Sequence, residues 1–112
     1  MKIVNMNYKI DYKNFDWISG QVNGFSGKEL IHCLNGGVKI IKIDSMTAYP
    51  EHIHPDKTEY AFVVEGCPEF LINGLFFEAE AGDFFIFPPH VKHAIKNNSN
   101  RECQILIGSI NN

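Results

Sequence analysis

The sequence predicts an all-β fold, a single small antiparallel β-barrel with little or no helix. Three observations carry this. Chain breakers recur at short intervals: Gly20, Gly24, Gly27, Gly36-Gly37, Pro50, Pro55, Gly66, Pro68, Asn73-Gly74, Gly82, Pro88-Pro89 and the run Asn97-Asn98-Ser99-Asn100. The segments between them are short and rich in Ile, Val and Phe. No segment after Leu30 repeats its apolar residues with a helical period. Short strands separated by turn signals about every 8–12 residues mark a sandwich or barrel.

Glu29–Leu34 reads as a strand ended by a turn at Asn35-Gly36-Gly37, and Val38–Asp44 as a second strand with partial alternation. Thr47–His54 follows and carries two histidines. Glu59–Glu65 is a strong strand ended by Gly66. Glu69–Ile72 and Leu75–Glu78 flank Asn73-Gly74. That dipeptide signals a hairpin, because a type I′ turn needs positive φ at both central residues. Asp83–Phe87 is a very apolar strand stopped by Pro88-Pro89, and His93–Lys96 and Cys103–Ile110 complete the set. Residues 28–112 are expected to form the barrel. Residues 1–27 either extend it with edge strands or pack Phe15 and Trp17 on its outside.

The chain has 112 residues, 45% hydrophobic and 21% charged, with a net charge of −3. These are values of a globular chain of one domain. The one arginine, Arg101, and the scattered lysines form no basic run, so nucleic acid is not an expected partner. No apolar run approaches the roughly 18 residues that span a bilayer, and Met1–Asn7 lacks the apolar core of a signal peptide. Cys33, Cys67 and Cys103 are far apart and odd in number. They are expected to be buried, reduced thiols in a cytoplasmic protein.

Four side chains suggest chemistry: His52, His54, Glu59 and His93. Side chains two apart on a strand share a face, so His52 and His54 point the same way. Glu59 is five beyond His54, an odd offset. Pro55-Asp56 turns the chain between them, and Glu59 then opens the next strand beside the histidines. His93 must arrive through tertiary structure. Three imidazoles and a carboxylate suit one divalent transition metal, Fe, Mn, Ni, Co, Cu or Zn. The competing reading is histidines on an exposed strand. Spacing within a fixed scaffold separates the two.

The spacing resembles that of the cupin superfamily, over roughly Thr47 to Asn97. A first motif reads His52-Ile53-His54, four residues, Glu59, six residues, Gly66. A second reads Gly82, five residues, Pro88-Pro89-His90, two residues, His93, three residues, Asn97. Two positions depart from the pattern. Met46 stands where the first motif opens with Gly, and His90 replaces the Gly of Pro-x-Gly. The resemblance implies a small jelly-roll barrel with His52, His54, Glu59 and His93 as metal ligands. It also implies a homodimer, and makes a metalloenzyme plausible, of dioxygenase or isomerase/lyase type. A binding or sensing module without catalysis is the alternative.

Tyr49, Glu51 and His90 flank the expected site and are candidates for proton transfer. With Glu59 facing inward, Ala61 and Val63 face the same way, giving an apolar pocket for a small molecule. The motif region has no arginine, which disfavours a substrate held by phosphate or by several carboxylates. The continuous run Phe84–Phe87 calls for cover on both faces. One face lines the barrel, and the other meets a second subunit or the N-terminal segment.

Overall fold

Strands alternate buried and exposed side chains, and the buried faces meet between two antiparallel sheets. The computed structural model describes residues 8–111. Among these, the strands are β1 (Ile18–Ser19), β2 (Phe25–Cys33), β3 (Gly36–Ile43), β4 (Thr47–His52), β5 (Lys57–Glu65), β6 (Glu69–Ile72), β7 (Leu75–Glu78), β8 (Phe84–Phe87), β9 (His93–Asn97) and β10 (Cys103–Asn111). One short 3-10 turn, Tyr12–Asn14, precedes them. The first sheet runs β1-β2-β3-β10-β5-β8 and the second β4-β9-β6-β7. The expected all-β barrel is thus a two-sheet jelly roll. Its backbone ladder is interrupted at the two sides, where side chains bridge the sheets. Phe25 meets Tyr49 at 5.2 Å between ring centroids on one side, and Phe77 meets Phe85 at 5.6 Å on the other.

The core takes residues from both sheets. Ile43, Val63 and Ile105 of the first face Phe70 and Ile95 of the second. Phe70 stacks on Phe85 at 4.4 Å. Each fully buried side chain of this size contributes about 1.5–3 kcal/mol. Alternation holds along β8: Phe84 and Ile86 are exposed, whereas Phe87 is buried. The Asn73-Gly74 hairpin forms as the sequence predicts, with φ of 51° and 77° at its centre.

Elsewhere the boundaries differ. β2 begins at Phe25, earlier than Glu29, because Phe25 pairs with Ile43 and enters the core. The β2–β3 turn is Leu34-Asn35, and Gly36-Gly37 already belong to β3. Gly36 serves close approach rather than the turn: a Cβ there would run into the Ser109 carbonyl of β10. Residues 1–7 of the N-terminal segment lie outside the described residues; residues 8–27 run as follows. Ile18–Ser19 adds an edge strand to β2. Trp17 packs outside, with Lys28 Nζ 4.4 Å and Lys42 Nζ 5.0 Å from its ring centre, and Lys28 Nζ also donates to the Tyr12 carbonyl at 3.0 Å. Phe15 is left exposed. Of the three cysteines only Cys103 is buried. Cys33 and Cys67 are exposed, contrary to expectation, and all three are free. Cys33 ends the β2 hairpin arm and Cys67 follows the Gly66 bend, where neither has a sheet to cover it. Among the described residues no helix is long and apolar enough to cross a membrane.

The second motif ends in a structural knot. Asn97 is fully buried, and its Nδ2 donates to the carbonyls of Ile43, Asp44 and Arg101. Its Oδ1 accepts from the Ser99 backbone N–H at 3.0 Å. Asn97 therefore ties β9 to the end of β3 and fixes the strand that carries His93.

Candidate metal centre

The donors come from both sheets and from the loop that joins them. β4 pairs with β9 so that Tyr49 lies opposite Ile95 and His52 opposite His93. Three residues on β4 thus span two on β9, which is a β-bulge at Pro50-Glu51. Proline lacks the donor that a regular ladder would demand there. The extra residue turns both Tyr49 and His52 toward the interior. β4 stops at His52, so His54 lies in the loop, two residues beyond the strand expected to end with it. The backbone N–H of His90 donates to the His54 carbonyl at 3.0 Å and holds that loop. β5 starts at Lys57, ahead of Glu59. Glu59 faces inward, as do Ala61 and Val63, both fully buried.

The four donor atoms lie within 4.8 Å of one another. His54 Nε2 is 3.1 Å and His93 Nε2 3.2 Å from the same Glu59 oxygen, Oε1. Donors about 2.1 Å from one ion at right angles sit about 3.0 Å apart, and about 4.2 Å apart when opposite. The cluster therefore fits a single ion after a contraction of a few tenths of an ångström. Ring orientation agrees. His52 Nδ1 donates to the Pro50 carbonyl at 3.0 Å and His93 Nδ1 to the Val91 carbonyl at 3.2 Å. These backbone partners fix the tautomer that leaves Nε2 free to ligate. In His93 both ring nitrogens face oxygen acceptors. A neutral ring can donate to only one of them. A cation shared by Nε2 and Glu59 resolves the conflict without an imidazolium in the core.

His93 is the best-held donor. It is buried and stacks on Phe87 at 4.4 Å with 7° between planes. His52 lies 4.1 Å from it, ring to ring. Burial lowers the pKa of His54, more than Glu59 raises it, so its neutral, ligating form is favoured. Burial pushes Glu59 up, but the His93 hydrogen bond and the charges of Lys57, His54 and His93 outweigh it, leaving a carboxylate below its ordinary range.

A cavity of about 380 Å³ opens over the donors. Its walls are largely apolar, with Phe25, Ile41, Ile95, Ile105 and Ile107, and its polar lining includes Gln21, Lys39, Tyr49 and Lys57. Of the three proton-transfer candidates, Tyr49 lines this cavity, with its ring 5.0 Å from that of His52. Glu51 and His90 are exposed and outside the lining. The two departures from the motif have a common backbone meaning. Met46 and His90 have φ of 58° and 67°, the left-handed region that favours glycine. Sequence reading passed over Lys57, although it shares a strand face with Glu59 two residues on. It also passed over Lys39 and Gln21, whose roles depend on contacts between strands remote in sequence.

A small antiparallel jelly roll with four convergent N and O donors at one end is the class that fold and site define. The family model described as "Cupin domain" matches residues 39–108. The chain belongs to the cupin family. No curated protein sequence matches it. Similar solved structures include a sugar phosphate isomerase of the cupin superfamily from Silicibacter pomeroyi, at 18% identity and TM-score 0.83, covering 91% of this chain and 74% of that one. The polyketide cyclase RemF from Streptomyces resistomycificus matches at 15% identity and TM-score 0.82, covering 94% and 80%. An RmlC-like cupin from Shewanella frigidimarina matches at 21% identity and TM-score 0.79, covering 96% and 91%.

Proposed function

We propose that this cupin holds one divalent transition-metal ion on His52, His54, Glu59 and His93 and transforms a small organic molecule beside it. The chemistry is of dioxygenase or isomerase/lyase type. The observation that carries the proposal is the convergence of three imidazole nitrogens and one carboxylate beneath an open cavity of about 380 Å³. Four protein ligands leave positions free on a six-coordinate ion, which supplies Lewis acidity to substrate oxygens. The chain's own residues do the rest. The isoleucine wall displaces water and seats the apolar part of the substrate. The Tyr49 hydroxyl is the candidate for moving a proton. The isomerase and the cyclase that share the fold support a reactive site on it. The free cysteines suit the reducing cytoplasm as the place of work.

The test begins with elemental analysis of protein purified without added metal. Candidate small molecules are then screened with stripped and reloaded protein, under air and under nitrogen. Conversion only by reloaded protein is the expected result, and its dependence on air separates oxygenase from isomerase/lyase chemistry. Molecules that saturate the site and return unchanged would make the protein a binding module. Failure to take up any metal would end the reading altogether.

A further inference from the structure

The metal reading accounts for the donors but not for two cations in the same cavity wall. Lys39, on β3, and Lys57, at the start of β5, both line the donor cavity. Both also line a neighbouring cleft of about 310 Å³, and Glu59 and Ile107 are shared by the two hollows as well. The lysines thus stand where one hollow passes into the next, beside the carboxylate donor.

Neither ammonium makes a hydrogen bond to a carboxylate there: Lys39 is exposed at the rim, and Lys57 is only loosely paired with Glu59. Lys57 Nζ is 3.8 Å from Glu59 Oε2, far beyond the roughly 2.7–2.9 Å of a charge-assisted hydrogen bond. The other oxygen of Glu59 already faces His54 and His93. Among the described residues Lys39 is in no ion pair. Its ladder neighbour Glu29 is turned to His32, at 3.2 Å. Glu59 is the one carboxylate in the cavity lining. With a divalent ion in place, it offsets a single one of the four positive charges that the ion and the two lysines bring together. Such an excess in a partly desolvated hollow favours an anion. Along the same sheet the lining turns apolar at Ile41 and Ile105, and Ile95 of the second sheet faces them, so the rest of the ligand is hydrocarbon. Two compact ammonium charges hold a small anion by charge alone, without the bidentate geometry of an arginine fork, and on a short hydrocarbon that anion is a carboxylate.

Resting on the metal reading above, we propose that the substrate is a short aliphatic carboxylic acid bearing an oxygen next to its carboxylate. The carboxylate lies toward Lys39 and Lys57, the neighbouring oxygen toward the donor cluster, and the chain on the isoleucine wall. Lys39 and Lys57 are then binding residues that set specificity.

The test uses the full-length protein loaded with cobalt(II), whose visible spectrum reports ligands entering the metal's surroundings. Two probes are titrated: 2-hydroxybutyrate, and 1,2-butanediol, which keeps the hydroxyl and the chain but lacks the charge. Wild-type protein is expected to bind the acid on the order of tenfold or more tighter than the diol. Lys39→Gln, which touches no donor, and the double variant Lys39→Gln/Lys57→Gln are expected to lose that preference stepwise. Diol binding and cobalt stoichiometry stay unchanged in Lys39→Gln, and Lys57→Arg retains the preference for the acid. Equal binding of acid and diol by cobalt-loaded wild type overturns the carboxylate assignment while leaving the metal site standing, as does an undiminished preference in the double variant. Failure of the wild type to bind cobalt removes the foundation and the inference together.

Discussion

His93→Ala and His54→Ala delete the same group from the same donor set, yet they should differ sharply in what they cost the fold. The His93 side chain is 2% exposed and the His54 side chain 31% exposed. His93 also stacks flat on Phe87, itself buried. Removing a fully buried ring forfeits its transfer energy and leaves a cavity, which for a ring smaller than Phe is roughly 2–4 kcal/mol. In a domain of this size that lowers Tm by roughly 10 °C. His54 sits at the edge of the cavity in a loop, so its truncation should cost less than about 1 kcal/mol. Metal affinity should fall in both variants. Four-ligand structural zinc sites are worth roughly 10–16 kcal/mol, so an equal share per donor is roughly 3 kcal/mol, or about a hundredfold in Kd. Thermal unfolding in chelator measures the first quantity, and metal competition titration with elemental analysis the second. Unchanged metal content in either variant would falsify the donor assignment. Equal Tm losses in chelator would refute the claim that the Phe87 stack, rather than the cluster itself, makes His93 structural.

Met46→Gly and His90→Gly should each stabilise the protein by about 1 kcal/mol, because both residues occupy left-handed backbone that costs an L side chain about 1–2 kcal/mol. Urea unfolding reads this directly, and a loss of stability in both would show that the side chains make compensating contacts. Acid should weaken the metal-free protein in two stages. The unfolded chain protonates His54 near the ordinary 6.5 while the folded chain resists, so stability is full above 6.5 and declines as pH falls below it. Glu59, held below its ordinary 4.5, adds a second decline below 4.5. Denaturant midpoints across pH check this, and His54→Ala should lessen the first stage. The cupin resemblance implies a homodimer, and an apolar patch on two edge strands, Leu75 on β7 with Phe84 and Ile86 on β8, all more than half exposed, offers a surface for it. We propose that a second copy covers it, since unpaired apolar edges invite pairing. Sedimentation should give a dimer for wild type and a monomer for Ile86→Lys, and a monomeric wild type ends the proposal.

Much of this was legible in the residues. Asn73-Gly74 specified its turn because only a few residue types tolerate positive φ at two successive positions. The run Phe84–Phe87, expected to be covered on both faces, instead leaves Phe84 and Ile86 exposed on the outer face of β8 in the single chain. The spacing of His52, His54, Glu59 and His93 named all four members of the cluster. Gly36-Gly37 misled, because a glycine that permits close approach looks, in sequence, like a glycine that permits a turn. Cys33 and Cys67 misled as well, since a residue type's average burial says nothing about the end of a particular strand.

The chain alone determined which groups are available and how they repeat along each strand, for these depend on local stereochemistry with a period of two. Tertiary structure decided which of them meet. The bulge at Pro50-Glu51 turns His52 toward His93, Asn97 anchors the strand beneath it, and Phe87 backs its ring. Lys39 and Lys57 reach one cavity only because β10 runs between β3 and β5. Contacts between distant strands are set by sheet order and register, which no local pattern encodes.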